Sequence, residues 1–219
     1  IFMYIPKKKD IFKTSEGDPV YYHYLPLIGY AYKKRLSNTL SLFGDNCRRL
    51  LEIGYGSGIL FPELSRLAGE IYGLEAHGKE DLVRQLLKKE NINNVILRPG
   101  SVLKMSFDDN FFDRIVSVST FEHIDRLDKE FSLDKGFSEM KRILKPEGRV
   151  ILSFPVRNII TDSFFRLVGR SPRKIHPSSH SDIISTAEKY FKIEKMIKFP
   201  TFLPLNLSLY CSILCKNNK

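Results

Sequence analysis

Three cysteines in 219 residues, Cys47, Cys211 and Cys215, are too few and too poorly spaced for a disulfide framework or a structural zinc site. A reducing compartment, the cytosol, is the expected location. Long apolar runs are missing as well. The longest charge-free stretch, residues 199–215, is broken by Pro200, Pro204 and Asn206, whereas a membrane-spanning helix needs about 20 consecutive apolar residues. Lys7, Lys8 and Lys9 follow the first apolar residues instead of preceding them, so no secretory leader is expected. His176 and His180 have no third ligand in view, and no metal site is expected.

The chain does have enough apolar sequence, 42%, to bury one sizeable core. At about 150 residues per domain its length suits one domain with appendages. Lys and Arg number 35 against 25 Asp and Glu, a formal charge of +10. That excess favours encounters with polyanions, RNA or an anionic membrane face, without choosing between them.

From Arg48 onward, short apolar runs alternate with helical patterns, the signature of βα units around a mainly parallel sheet. The expected strands are residues 50–54, 70–74, 95–98, 114–119, 149–154, 191–198 and 209–216. Apolar residues at three- and four-residue spacing predict helices over 60–68, 79–89, 137–144 and 181–189. No helix fits between the last two strands, so they pair as an antiparallel hairpin. The expected fold is α/β: a doubly wound, seven-stranded, mainly parallel sheet with an antiparallel C-terminal hairpin. Residues 1–49 form an N-terminal extension with a helix over 27–43 and six of the ten tyrosines. These tyrosines either clamp the segment onto the core or line a lid over a ligand site. Residues 50–219 form the main domain, with 156–180 as a substrate-side insertion.

Directly after the first expected strand comes Leu50-Leu51-Glu52-Ile53-Gly54-Tyr55-Gly56-Ser57-Gly58, then a helical run. Glycines at 54, 56 and 58 let the backbone approach a ligand at the carboxyl end of a strand, where open α/β sheets bind nucleotides. Ile59 stands where a dinucleotide fingerprint wants its third glycine, and a Gly-Lys-Ser/Thr ending is absent, which disfavours pyrophosphate. Glu75 closes the second strand, where a carboxylate can accept both hydroxyl protons of a ribose.

Further on stand Arg98-Pro99-Gly100-Ser101-Val102, the acidic-aromatic segment 106–113, the run Ser119-Thr120-Phe121-Glu122-His123, and Lys145-Pro146-Glu147-Gly148. With the glycine turn, these resemble, in order over residues 48–155, the class I S-adenosylmethionine (SAM) dependent methyltransferases of the small-molecule branch that includes quinone-biosynthesis enzymes. The resemblance implies a Rossmann-like methyltransferase fold and SAM as cofactor, with S-adenosylhomocysteine (SAH) as product. It implies that Glu52, Gly54, Tyr55, Gly56 and Gly58 hold the methionine part, Glu75 the ribose, and Ser101 with Val102 the adenine edge. Thr120, Phe121, Glu122 and His123 follow the fourth strand beside the methyl group. Ser101 departs from the family's usual Asp, and extra residues between His123 and Glu139 form a loop of their own, 125–135.

Methyl transfer from a sulfonium is an in-line displacement, so a base is needed only for a protonated nucleophile. His123 is the expected catalytic residue, the other reading being a structural histidine. An Asn/Asp-Pro-Pro-Tyr/Phe run is absent after the fourth strand, which argues against base N-methylation. Ile160, Phe164, Leu167 and Val168 share one helical face beside Arg166, Arg170, Arg173 and Lys174, a pattern that suits an interfacial helix or a packed lid. The expected partner is a small or lipid-like acceptor, O- or C-methylated, with peripheral membrane contact. An RNA methyltransferase and a catalytically silent SAM-binding domain are the alternatives.

Overall fold

The computed structural model describes residues 3–76, 78–124, 133–159, 161–163 and 177–219. The helical face from 160 to 168, the basic stretch 166–174, His176 and residues 125–132 of the expected loop lie outside them.

Seven strands form one sheet in the order β3-β2-β1-β4-β5-β7-β6: β1 (Cys47–Ile53), β2 (Ala68–Glu75), β3 (Val95–Pro99), β4 (Phe112–Val118), β5 (Leu144–Pro155), β6 (Lys192–Phe199) and β7 (Tyr210–Lys216). β1 through β5 run parallel, while β7 is antiparallel to both β5 and β6. The four residues Leu50, Leu51, Glu52 and Ile53 are all buried, as a central strand covered on both faces requires. Successive residues face opposite layers. Leu51, Ile53 and Ile115 join one core with α4 (Leu133–Ile143) and α5 (His180–Tyr190). Leu50, Ile71 and Val116 join the other with α1 (Pro26–Ser41), α2 (Phe61–Leu64) and α3 (Glu80–Lys89). The edge strand β6 carries Lys192, Lys195 and Lys198, side chains that discourage edge-to-edge pairing.

Two expected helices differ from the structure. The one expected over 60–68 is a four-residue helix. Beyond it the Arg66 and Leu67 N–H groups make tight i→i+3 bonds, and the Leu67 carbonyl accepts from Cys47 N–H, which draws the chain into β2. The one expected from 137 begins at Leu133 and ends at Ile143, because Leu144 already pairs with Phe112. Arg142 fastens α4 to the acidic-aromatic loop, donating to the Phe107 and Met105 carbonyls and to Asp109.

The N-terminal extension does not stand apart from the domain. Ile11 and Val20 pack on Leu86 of α3, Lys89 pairs with Asp10 at 2.8 Å, and the Tyr24 hydroxyl donates to the Pro6 carbonyl. A 3-10 turn, Val20–Tyr24, then leads into α1, which lies against β5, β6 and β7. Of the six tyrosines, Tyr4, Tyr21, Tyr22 and Tyr30 are exposed, while Tyr24 and Tyr32 are half-buried.

Candidate functional site

The strand order reverses at β1, and the crevice beyond the carboxyl ends of β1 and its neighbours is where such sheets bind ligands. After Ile53 the ladder continues for one residue, with Gly54 N–H donating to the Leu74 carbonyl at 2.8 Å. Gly54 then turns at φ +72°, where a side chain would collide with Thr120. Gly56, at φ +51°, has open space where a side chain would stand. Both positions demand glycine, one for backbone geometry with no room to spare, the other to leave a cradle empty.

Glu75 faces that cradle. Its Oε2 accepts from Gly56 N–H at 3.0 Å and its Oε1 from Ala76 N–H at 2.8 Å. A carboxylate oxygen can accept more than one hydrogen bond, so capacity for ligand hydroxyls remains. Gly100 N–H donates to the Glu75 carbonyl, which brings the end of β3 alongside. Just beyond, the Ser101 hydroxyl is exposed and accepts from Leu103 N–H, and Val102 leans on Gly136 of α4.

Glu52, at 3% exposure, points an oxygen, Oε2, at which no hydrogen-bond partner stands. Burial first, and the nearby Glu75 second, push its pKa well above the usual carboxylate value. Tyr55 is turned the other way: its ring packs on Phe61 at 5.5 Å and lies over Gly73, so it offers the turn its backbone.

On the β4 side, Ser117 and Thr120 both donate to the Ile53 carbonyl, at 2.9 and 3.2 Å, tying the ends of β1 and β4 together. Phe121 is buried edge-on to Phe137 of α4. His123 is exposed at the end of the 3-10 turn Phe121–His123. Thus Glu52, the glycine turn, Glu75 and Thr120 gather around the end of β1, Ser101 and Val102 flank them after β3, and Phe121 and His123 after β4. His180 is remote from this grouping in role: its Nδ1 accepts from Arg157 N–H, and burial, with Arg157, lowers its pKa.

Two polar residues here escaped the sequence reading. Arg35 of α1 is 5% exposed and donates through Nη1 to the Ser119 hydroxyl at 2.6 Å. His23, from the 3-10 turn ahead of α1, is 1% exposed, with Nδ1 against the Val20 carbonyl. Their neighbours in sequence are ordinary helix and turn residues, and no spacing marks them.

Residues 51–152 match the family described as methyltransferase domain. Among curated proteins, the chain is 40% identical over 73 residues to a protein named probable ribosomal RNA small subunit methyltransferase A of Thermococcus sibiricus, covering 33% of this chain and 25% of that one. It is 26% identical over 121 residues to a ubiquinone biosynthesis O-methyltransferase of Pelagibacter ubique, covering 55% and 47%. The chain spans from about a quarter to a half of the length of the curated relatives it matches, 24% to 47%. Among solved structures, the N-methyltransferase NodS of Bradyrhizobium japonicum, in complex with SAH, superposes with a TM-score of 0.65 at 14% identity over 85% of this chain and 87% of that one. The geranyl diphosphate C-methyltransferase of Streptomyces coelicolor gives 0.67 at 15% over 87% and 80%. Residues 51–152 thus match a methyltransferase domain, and the chain shares its fold with these solved methyltransferases.

Proposed function

We propose that the chain binds SAM at the carboxyl end of β1 and transfers its methyl group to a small or lipid-like acceptor, by O- or C-methylation, releasing SAH. One observation carries the reading: the Glu75 carboxylate is bonded to the backbone of the glycine turn beside the open cradle at Gly56. A second fits it, the unpartnered buried oxygen of Glu52, which suits a cationic amino group. When bound, the cofactor supplies an electrophilic methyl group. The rest falls to the chain. Glu52 and the backbone of residues 54–58, Tyr55 included, hold the methionine part. Glu75 takes the ribose hydroxyls, Ser101 and Val102 border the adenine, and Thr120 and Phe121 wall the methyl side. His123 takes the proton of a protonated nucleophile.

The acceptor class is supported by exposed apolar side chains on and around α1. Leu27 is 88% exposed and Phe202, after β6, 84%, with Ile28 and Tyr30 also in solvent. Lys33 and Lys34 follow on the same helix. A cytoplasmic protein with peripheral membrane contact is part of this reading. Among the described residues, no helix is long and apolar enough to cross a membrane.

The name of the Thermococcus relative and the +10 charge favour a second reading, an RNA methyltransferase. Labelled SAM incubated in parallel with lipid extract, polar metabolites and total RNA decides. Label in the lipid or metabolite fraction is expected, label in RNA alone overturns the acceptor class, and SAM binding without SAH formation marks a silent domain.

A further inference from the structure

Three buried polar groups from three separate elements meet beneath α1 with bonding capacity left over. Arg35 has Nε unpartnered, and its guanidinium lies over the rings of Tyr32 and Tyr210, 5.0 and 5.1 Å from their centroids, on one side of an edge-on ring pair. Glu122, 1% exposed on the turn after β4, has no hydrogen-bond partner in good geometry at either oxygen. His23 stacks edge-on to Tyr32 at 5.1 Å and leaves Nε2 bare. Burial and the nearby Arg35 drop the His23 pKa to about 3, so its ring is neutral and, with Nδ1–H given to Val20, Nε2 is an acceptor. Burial raises the Glu122 pKa, against the pull of His123, Arg35 and the Ser119 hydroxyl.

Buried polar atoms without partners are uncommon, and each costs stability. Here they are complementary in kind, a fixed cationic donor opposite acceptors, yet Arg35 forms no ion pair among the described residues. A planar guanidinium fixed by the Ser119 hydroxyl and by contact with two aromatic rings is pre-organised for a planar oxyanion, which it can meet with parallel N–H bonds. Ser119, which Arg35 grips, is followed by Thr120, whose hydroxyl reaches the end of β1.

We propose that Arg35, Glu122 and His23 form the binding site for the head of the methyl acceptor, and that this head is an oxyanion, a carboxylate or phenolate, bearing a hydroxyl. Arg35 holds the oxyanion, while Glu122 or His23 accepts a hydrogen bond from the hydroxyl. The inference rests on the methyltransferase reading above. α1 roofs the site, so entry and release require that helix to shift.

The test uses 19F NMR on the full chain with SAH present, with 4-fluorobenzoate as probe and 4-fluorobenzamide as its neutral counterpart. The wild type is expected to bind the benzoate at least tenfold more tightly than the amide. Arg35→Met is expected to abolish that preference, and Arg35→Lys, which keeps charge but not the fork, to retain part of it. Equal affinity for the two probes, binding of neither, or a preference that survives Arg35→Met overturns the site. Should Arg35→Met not fold, the NMR signal of the Arg35 side-chain Nε–H in the wild type decides: it shifts with benzoate and not with benzamide, or the proposal fails. Calorimetry with SAH on the same samples separates the two levels. No SAH binding brings down the methyltransferase reading and this site with it, while SAH binding without probe discrimination brings down the site alone.

Discussion

Glu75 meets the glycine turn through one side-chain oxygen, so removing it takes away a support of the cradle together with the proposed ligand contact. Loss of a charged hydrogen-bond partner typically costs about 1.5 to 3 kcal/mol, so Glu75→Ala is expected to weaken SAM roughly 10- to 150-fold. Unchanged affinity by calorimetry in a folded variant would remove the ribose assignment. Glu52 sets stability against binding. Its folded pKa is raised above the unfolded value, so the folded state binds the more protons. Its contribution is therefore fully present below the ordinary carboxyl range, near pH 4.5, and is lost as pH climbs toward the raised value. Glu52→Gln should accordingly melt higher than the wild type at pH 8, gain nothing at pH 4, and bind SAM more weakly. Thermal melts at the two pH values check the sign, and an equal shift at both contradicts it. For His123, exposed where Glu122 beside it is buried, the expectation is kinetic. His123→Ala should cut turnover by about 10² to 10⁴ with SAM affinity near that of the wild type. Turnover per folded molecule that stays level makes it a structural residue instead.

The α1 helix docks through a glycine. A Cβ at Gly29 would lie 2.6 Å from the His23 carbonyl oxygen and 3.1 Å from that of Tyr22, so the helix and the preceding 3-10 turn cannot keep their spacing in Gly29→Ala. Overpacking of this kind costs about 1 to 3 kcal/mol. A lower urea midpoint and faster proteolysis around residues 20–30 are expected, and an unshifted midpoint shows that the junction yields freely. The same region marks where the sequence stopped being readable. The βα alternation, the hairpin, the glycine turn and Glu75 were legible because each is written in local chemistry: apolar runs, backbone freedom, a carboxylate at a strand end. Arg35 was not, since its burial depends on Ser119, 84 positions away, and on Tyr210. The shortness of α2 is illegible for a similar reason, as the Cys47 N–H that draws the Leu67 carbonyl toward the sheet belongs to β1.

Over the whole molecule, positive charge and exposed apolar side chains coexist, and salt separates their consequences. Burying a large apolar side chain is worth about 1.5 to 3 kcal/mol, so the double variant Leu27→Ser, Phe202→Ser should lose at least about tenfold in co-sedimentation with anionic vesicles. Should binding be unaffected, with RNA affinity instead falling by about 10³ between 50 and 200 mM salt as six or more phosphate contacts imply, the RNA reading takes precedence. The position of β7 has a consequence in time. Since β7 lies between β5 and β6, β6 emerges from the ribosome before the strand it pairs with exists, and the β5 edge stays open until residues 210–216 clear the exit tunnel. Tyr210, which flanks Arg35, arrives with them. The proposed cofactor side, built on β1 to β4, can assemble on the nascent chain well before then, whereas the Arg35 side matures only after β7 is in place.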